Sequence, residues 1–416
     1  MLPRRRRGFR LAAVLLSLGL AWGIPELLVR IANPQLQSYR AIYFGGDANS
    51  PQLFMKDPRL HWKLRPQTEV TFFNHAVQTD AHGFRNSPQP AARRLVLCLG
   101  DSTTFGWGVG QDEAFAPRLA ALLPSDAWRV INAGVPGYSS FQIRLLAEQL
   151  VPRWRPDVVV ICLGNNEAWP VHKSDRELDQ QRGAVVAVTF LLSHSKFLVW
   201  AAERVRSDKP QPFMAPALAD AEPRVSPTDF ADSIRRIVQV ARDHEARVVV
   251  LSPPVNLHVP PPPHRVKQFV DLADWKKYVS RLDGWLQEER YQEALDSVAE
   301  SLASDPDNFL ALWCKGGVLD AMGRQAEARE LFEQAFEKNP YPERCKRSYR
   351  EILRSTAEKQ HVSFVDVNAL FLAATDPEPP TRLFQDWCHP TVEGHQIIAG
   401  ALAPIVLDAA DQGEGK

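Results

Sequence analysis

The residues with the clearest chemical potential are polar side chains that follow short apolar runs. Ser102 follows the apolar run 95–99, Gly100 and Asp101. An apolar run that ends in a turn signal predicts a strand buried on both faces of a parallel sheet. Open α/β sheets place their ligands at the carboxyl ends of such strands. Ser102 is therefore a candidate nucleophile, although a serine after an aspartate is equally well explained as the cap of the next helix.

Further candidates occupy corresponding places along the chain. Gly137 lies in the loop after a predicted strand at 128–132, and Asn166 follows the apolar run 157–163. His389 stands three residues after Asp386 near the C-terminus. These positions would all lie along one edge of the sheet or in the loop that closes it.

The residue types suit acyl transfer. A serine hydroxyl is a weak nucleophile that needs an adjacent base, and His389 could be that base for Ser102. The imidazole needs a carboxylate to fix its tautomer and stabilise its charged form, which Asp386 could supply. The backbone N–H groups of Ser102 and Gly137 and the amide of Asn166 would donate to the oxyanion of a tetrahedral intermediate.

Each residue also has an ordinary explanation when it is taken alone. His389 could be a surface histidine, Gly137 a turn glycine and Asn166 a helix cap. Their joint occurrence in this order favours a serine hydrolase site. We expect no metal site, cofactor or disulfide framework, since the five cysteines form no C-x-x-C or zinc-spaced pattern. A formal net charge of zero gives no sign of a nucleic-acid partner.

The elements that would position these residues follow a strand–helix rhythm. Strands alternating with helices predict a mostly parallel sheet covered on both faces. The predicted strands are 95–99, 128–132, 157–163, 247–251 and 362–367, and the predicted helices are 113–123, 141–150, 230–244 and 391–407. The apolar stretch 184–202 is interpreted as a buried or groove-lining helix, with a second membrane segment as the alternative, and 209–227 as a surface loop.

The N-terminus resembles an export signal. Five arginines at positions 4–7 and 10 precede an apolar segment at 11–24, and basic residues stay on the cytoplasmic side of a membrane. The poor cleavage site at 21–23 favours an uncleaved signal anchor over residues 1–32. The protein would then be single-pass in the cytoplasmic membrane, with its catalytic part exported to the periplasm or beyond. The segment is short for spanning, which takes about 20 residues, and a buried helix of a soluble domain is the alternative.

Residues 33–92 contain alternating apolar positions but no helical period. Leu60, Trp62 and Leu64 alternate, as do Val70 and Phe72. This pattern predicts a short β-hairpin or an extended arm that packs on the core.

An inserted helical region is predicted at 282–342, between two parts of the core at 93–281 and 343–410. Ala294, Val298 and Pro306 recur at a period of 34 residues as Ala328, Phe332 and Pro340, which resembles a pair of tetratricopeptide repeats. Two such repeats are fewer than usually suffice alone, so we expect them to lean on the core. The region is interpreted either as a partner-binding module or as added bulk, and we expect its deletion to leave activity on small esters largely intact.

Four segments resemble the sequence blocks of the SGNH, or GDSL-type, hydrolase family. They are GDST at 100–103, NAGVPGYSS at 132–140, GNNE at 164–167 and DWCHP at 386–390. The resemblance covers roughly residues 90–275 and 345–410. It implies a flavodoxin-like three-layer α/β/α sandwich with a parallel sheet, and hydrolysis or transfer of ester-linked acyl groups.

The same resemblance implies roles for single residues. Ser102 matches the nucleophile, and alignment from the start of the second block places the oxyanion glycine at Gly137. The third block usually reads GxND, so the oxyanion asparagine is Asn166 and Glu167 replaces an aspartate outside the catalytic set. The last block supplies Asp386 and His389.

Two functions remain open at this point. The first is an exported, membrane-anchored serine esterase whose substrate is a small ester, a lipid or a glycan, with O-acetylated glycans as one candidate. The second is a scaffold with a vestigial site whose helical repeats bind a partner protein. The complete set of five site residues favours the enzyme, because a scaffold has no need of all of them.

Overall fold

The computed structural model describes residues 3–32, 50–57, 59–86, 89, 92–180, 195–205, 221–261, 270–342, 344–376 and 378–411. Its first elements are α1 (Pro3–Ala32), α2 (Ser50–Leu53), β1 (Phe54–Asp57), β2 (His61–Leu64), β3 (Glu69–Phe72) and β4 (His75–Gln78). They are followed by β5 (Arg94–Gly100), α3 (Ser102–Phe105), α4 (Phe115–Leu122), β6 (Trp128–Gly134), α5 (Ser140–Trp154) and β7 (Val158–Cys162).

The remaining elements continue the chain to its C-terminal helix. They begin with β8 (Pro170–Val171), α6 (Asp175–Gln180), α7 (Lys196–Val205), β9 (Glu222–Pro223), α8 (Pro227–Arg242) and β10 (Arg247–Leu251). Four helices follow, α9 (Leu272–Gln287), α10 (Tyr291–Ser304), α11 (Phe309–Ala321) and α12 (Gln325–Lys338). The last are α13 (Arg347–Lys359), β11 (Ser363–Val365), α14 (Val367–Thr375), a 3₁₀ turn (Pro380–Leu383) and α15 (Val392–Asp411).

A five-stranded parallel sheet forms the centre of the molecule, in the order β11-β10-β7-β5-β6. In β5, Leu97 pairs with Ile131 of β6 on one side and Val159 of β7 on the other. All five strands end at the same edge because they are parallel. The apolar runs in the sequence predicted these strands correctly, since strands buried on both faces have no polar alternation.

Apolar clusters on the two faces of the sheet create three layers. Leu97 and Leu99 of β5 point into one cluster, which also contains side chains of α5, α8 and α13. Val96 and Cys98 of the same strand point into the other, with side chains of α4, α14 and α15. The expected α/β fold with a covered parallel sheet is therefore confirmed.

The arm before the sheet consists of two hairpins rather than one. β2 pairs with β1, and β3 pairs with β4, both antiparallel. Trp62 and Val70 thus lie in different hairpins, although the sequence suggested that their strands belong together. The alternation correctly marks the buried positions, but alternation alone does not identify a strand's partner.

Helices α9–α12 form the helical segment of the molecule. It begins at Leu272, so the boundary expected at residue 282 falls inside α9. Gly316 of α11 packs closely on α12, because an added Cβ would lie 2.7 Å from the ring of Phe332. Side chains of α11 and α12 also join the apolar cluster on one face of the sheet: Leu319, Ala328, Phe332 and Phe336. The tetratricopeptide resemblance itself stays a prediction.

The N-terminal helix α1 contacts α7. The carboxylate of Glu26 accepts hydrogen bonds from the Ser195 hydroxyl at 2.6 Å and from the N–H of Phe197 at 2.9 Å. Most of the apolar stretch 184–202 lies outside the described residues, as does most of the predicted loop 209–227. Among the helices described, none is long and apolar enough to cross a membrane.

Candidate active site

Ser102 stands just beyond the carboxyl end of β5, the strand that lies between β7 and β6. The turn after β5 is tight, since a Cβ at Gly100 would lie 2.8 Å from the Cβ of Thr104. Asp101 is the N-cap of α3, and its Oδ1 accepts a hydrogen bond from the Thr103 N–H at 2.9 Å. The alternative explanation of Ser102 as the helix cap is therefore wrong. Asp101 performs the capping, which leaves the Ser102 hydroxyl available for another partner.

That partner is His389, from the loop before α15. Its Nε2 lies 2.8 Å from Ser102 Oγ, and its Nδ1 lies 2.7 Å from Asp386 Oδ2. The other carboxylate oxygen of Asp386 accepts the N–H groups of Cys388 at 3.0 Å and His389 at 2.9 Å. The structure thus brings together the three predicted residues in one hydrogen-bonded chain, although 287 positions separate Ser102 from His389.

The electrostatics of this chain favour an ion pair between His389 and Asp386. Burial raises the pKa of Asp386, but the charge and hydrogen bonds of His389 outweigh it and hold that pKa at about 2. Burial lowers the pKa of His389, yet its acidic neighbours Cys388 and Asp386 raise it well above the usual histidine value. We attribute the rise to Asp386, because burial raises the pKa of the Cys388 thiol and keeps it neutral.

The sequence analysis missed Trp107, which stacks on the imidazole. Its ring lies 5.3 Å from that of His389, with 15° between the two planes. Gln385, the residue before Asp386, holds Trp107 in place. Its side-chain amide donates to the Trp107 carbonyl at 3.0 Å and to the Pro390 carbonyl at 2.8 Å. No sequence signal marks this contact, since Gln385 and Trp107 are 278 positions apart in the chain. An aromatic face over the ring favours the imidazolium form.

The two predicted oxyanion residues, Gly137 and Asn166, lie in the loops that follow β6 and β7. Gly137 has a φ of 77°, a conformation that glycine adopts without strain. The Asn166 amide donates to the Tyr138 carbonyl at 2.8 Å and, at the longer distance of 3.4 Å, to Asp101 Oδ2. One hydrogen of Asn166 is therefore firmly bound, and the other is held only weakly.

Glu167 proves to be structural. It is fully buried, and its carboxylate accepts the N–H groups of Ser140 at 2.6 Å and Asn166 at 2.9 Å. Burial raises its pKa to about 7. The side chain thereby ties the loop that carries Asn166 to the start of α5, which follows the Gly137 loop.

Asp386, Cys388 and His389 are also the described residues that could hold a metal ion, with ligand atoms within 4.8 Å of one another. Two of them, however, already hydrogen-bond to each other, and His389 also contacts Ser102. The hydrogen-bonded chain therefore explains why the Asp386 and His389 side chains lie close together.

Comparison with solved structures yields distant similarities. An acetylxylan esterase from Geobacillus stearothermophilus has 15% identity and a TM-score of 0.37, covering 76% of this chain and 94% of its own. A putative lipolytic protein of the G-D-S-L family from Desulfitobacterium hafniense has 12% identity and a TM-score of 0.36, covering 75% and 99%. Similarity this low carries no argument about activity. No curated protein matches the chain in sequence.

The comparison with protein families is decisive. The model of the GDSL-like lipase/acylhydrolase family matches residues 98–318, more than half of the chain. The match starts inside β5, just before Ser102, and includes the loops that carry Gly137 and Asn166. The chain therefore belongs to the GDSL-like lipase/acylhydrolase family, the SGNH-type serine esterases.

Proposed function

We propose that the protein hydrolyses ester-linked acyl groups through Ser102, His389 and Asp386. The observation that carries this proposal is the hydrogen-bonded chain, in which 2.8 Å joins Ser102 Oγ to His389 Nε2 and 2.7 Å joins His389 Nδ1 to Asp386 Oδ2. Nucleophile, base and orienting carboxylate are thus each within direct reach of the next.

In this mechanism Ser102 Oγ attacks the acyl carbonyl while its proton passes to His389 Nε2. The tetrahedral oxyanion accepts hydrogen bonds from the N–H groups of Ser102 and Gly137 and from the weakly held hydrogen of Asn166. His389 then gives its proton to the departing alcohol, which leaves an acyl-serine. A water activated by the same imidazole releases the acid. Transfer to another hydroxyl in place of water would make the same site an acyltransferase.

The charge that develops on His389 is stabilised from two sides. Asp386 faces Nδ1, and the Trp107 ring lies parallel to the imidazole. Both interactions strengthen as the ring becomes an imidazolium, so they stabilise the charge that His389 acquires when it accepts the Ser102 proton.

The test is hydrolysis of p-nitrophenyl esters of increasing acyl length, with Ser102→Ala as the control. We expect turnover that depends on Ser102 and labelling of Ser102 by a fluorophosphonate probe. An acetyl preference, followed by acetate release from O-acetylated xylan or peptidoglycan, would support a glycan substrate. Wild-type protein that neither labels nor hydrolyses any of these esters would favour the alternative, a scaffold with a vestigial site.

We further propose that α1 holds the enzyme at the cytoplasmic membrane with the catalytic part exported. The arginines before residue 11 support this orientation. Large apolar side chains of α1 are also exposed, as expected of a surface that faces lipid: Val14, Leu16, Leu20, Trp22, Ile24, Leu27, Leu28 and Ile31. A reporter that is active only outside the cytoplasm, fused to the C-terminus, should be active. An inactive reporter with a soluble cytoplasmic protein would overturn the export proposal.

A further inference from the structure

The loop after β10, residues 252–260, lies between two parts of the molecule. One is the loop that carries Asp386 and His389, called here the catalytic loop, and the other is the helical segment. On one side it contacts residues 386 and 387. On the other it receives hydrogen bonds from Trp313 of α11 and from Arg344, in the connection after α12. This β10 loop is therefore a direct link between the helical segment and the catalytic residues.

Asn256 is the central residue of the link. It is 2% exposed. Its N–H donates to the Trp387 carbonyl at 2.8 Å, and its side-chain amide donates to the Asp386 carbonyl at 3.2 Å. Its Oδ1 accepts the His258 N–H at 3.2 Å. The two donated bonds hold the consecutive peptide groups that follow Asp386.

Arg344 holds Asn256 from the other side. Its guanidinium donates to the carbonyl of Asn256 and, at 3.1 Å, to that of Val259. It lies 3.7 Å from the centre of the Phe336 ring of α12, and only 1% of the residue is exposed. Since a buried guanidinium needs its hydrogen bonds, the position of Arg344 and that of the β10 loop are coupled.

The helical segment adds two further contacts to the same loop. Trp313 Nε1 donates to the Leu257 carbonyl at 3.3 Å. Asp320 at the end of α11 lies 3.6 Å from His258 Nε2, and the ring of Phe332 packs on the same imidazole. The loop is thus held along its length by side chains of the helical segment.

We propose that Asn256 is a positioning residue for Asp386, and that Arg344 and the helical segment act on catalysis through it. This inference rests on the proposed function. The Asp386 carboxylate binds His389 correctly only if the peptide groups beside it keep their place. A displacement of about 1 Å in such a group costs on the order of 10² in rate. The helical segment is then a support of the active site as well as added bulk.

The experiment compares Asn256→Ala with Asn339→Ala on the best p-nitrophenyl ester. Asn339 is equally buried and also accepts a hydrogen bond, from the Tyr341 N–H at 2.9 Å, but its hydrogen bonds to described residues reach neither the β10 loop nor the catalytic loop. Asn256→Ala should lower kcat by roughly 10- to 100-fold with KM changed by less than about 3-fold, as expected for loss of a group that orients the catalytic residues. Asn339→Ala should leave kcat within about 3-fold.

A second pair guards against variants that fail to fold. Arg344→Met removes both donors and should lower kcat as Asn256→Ala does. Arg344→Lys keeps a donor for the Asn256 carbonyl and should recover part of the loss. Thermal unfolding of each variant separates stability from rate, because a purely structural role predicts that kcat per folded molecule is unchanged in Arg344→Met.

The outcomes distinguish the two proposals. A wild-type protein without Ser102-dependent turnover or probe labelling overturns the proposed function, and the inference with it. An active wild type with full kcat in folded Asn256→Ala overturns the inference alone. Equal losses of kcat in the Asn256 and Asn339 variants also overturn it, because they would indicate a general effect of buried asparagines.

Discussion

At the scale of single residues, the reactivity of Ser102 depends on the aspartate before it. Asp101 is fully buried and caps α3, and burial raises its pKa to about 6. Because this carboxylate accepts the Thr103 N–H, Ser102 occupies the first helical turn without capping it. Its hydroxyl can therefore face His389. The GDS triplet thus combines a turn glycine, a capping aspartate and a serine free to react.

Removal of the nucleophile and of the base should have the same effect. Ser102→Ala, His389→Ala and the double variant should each lose on the order of 10⁴ to 10⁶ in kcat, because residues that act as a unit are not additive. Cys388→Ser is the matched control beside His389 and should keep its rate within a few-fold, since the buried thiol is neutral. Initial rates on a p-nitrophenyl ester measure all four. Losses that add up in the double variant would contradict a shared mechanism.

The oxyanion assignment predicts a smaller loss. Asn166→Ala removes one donor and should cost on the order of 10² to 10³ in kcat. The Asn166 side chain also holds the Tyr138 carbonyl, so thermal unfolding must be measured alongside the rate. Full activity in Asn166→Ala would mean that another group binds the oxyanion.

The raised pKa of His389 predicts the pH dependence of kcat/KM. Only the neutral imidazole accepts the Ser102 proton, so kcat/KM should rise with pH through the His389 pKa, with a midpoint above 6.5. Asp386→Asn removes the negative charge that raises this pKa, so the midpoint should move to lower pH while the plateau falls by up to about 10⁴. Rate profiles from acidic to alkaline pH measure both. A midpoint that stays in place in Asp386→Asn would contradict the ion pair.

The sequence could predict the residues that carry the chemistry, but not those that support them. Ser102, Asp386 and His389 stand in short recognisable segments. Trp107 and Asn256 have no such signal, because their roles come from contacts with residues more than 100 positions away. A tryptophan or asparagine in a loop is compatible with many environments, and only the folded chain selects one of them.

At the scale of elements, the extent of burial explains which strands and helices could be predicted from the sequence. The strands of the central sheet are buried on both faces, so each is a continuous apolar run that needs no knowledge of its partner. The arm strands β2 and β3 are buried on one face, and their alternation is compatible with either neighbour. The helical segment was predicted as helices, but its start at Leu272 was missed because α9 has only one buried residue, Leu282.

Two adjacent glycines of α11 test the close packing of α11 on α12. A Cβ at Gly316 would lie 2.7 Å from the Phe332 ring and 3.2 Å from the Ala328 carbonyl, whereas a Cβ at Gly317 meets nothing within 4 Å. Gly316→Ala should therefore destabilise the protein by about 1–3 kcal/mol. Gly317→Ala should stabilise it by about 0.5–1 kcal/mol, because alanine favours the helix. Urea unfolding measures both, and equal shifts would show that the helices are not in close contact.

At the scale of the whole molecule, the active site is assembled from both sides of the helical segment. Ser102 precedes the segment and His389 follows it, and the family match itself ends inside α11, at residue 318. Since Leu319, Phe332 and Phe336 join the apolar cluster that contains Leu97 and Leu99 of β5, the segment shares the core of the catalytic fold. The expectation that it can be deleted without loss of activity therefore needs revision.

Deletion of residues 282–342 with a short linker should destabilise the fold and abolish probe labelling of Ser102. The deletion uncovers the cluster on the sheet and removes the Trp313 and Asp320 contacts to the β10 loop. Solubility, urea unfolding and fluorophosphonate labelling measure these effects.

Point variants of the same segment show whether the loss comes from the shared core rather than from the linker. Phe332 is 2% exposed and lies between the core and the β10 loop, whereas Met322 in the same segment is 37% exposed. Phe332→Ala should cost about 3–5 kcal/mol, while Met322→Ala should stay within about 0.5 kcal/mol of wild type. A soluble deletion variant that still labels at Ser102, together with a stable Phe332→Ala, would show that the catalytic fold stands without these helices. Loss of labelling in the deletion, with Phe332→Ala destabilised and Met322→Ala unchanged, is the pattern that a shared core requires.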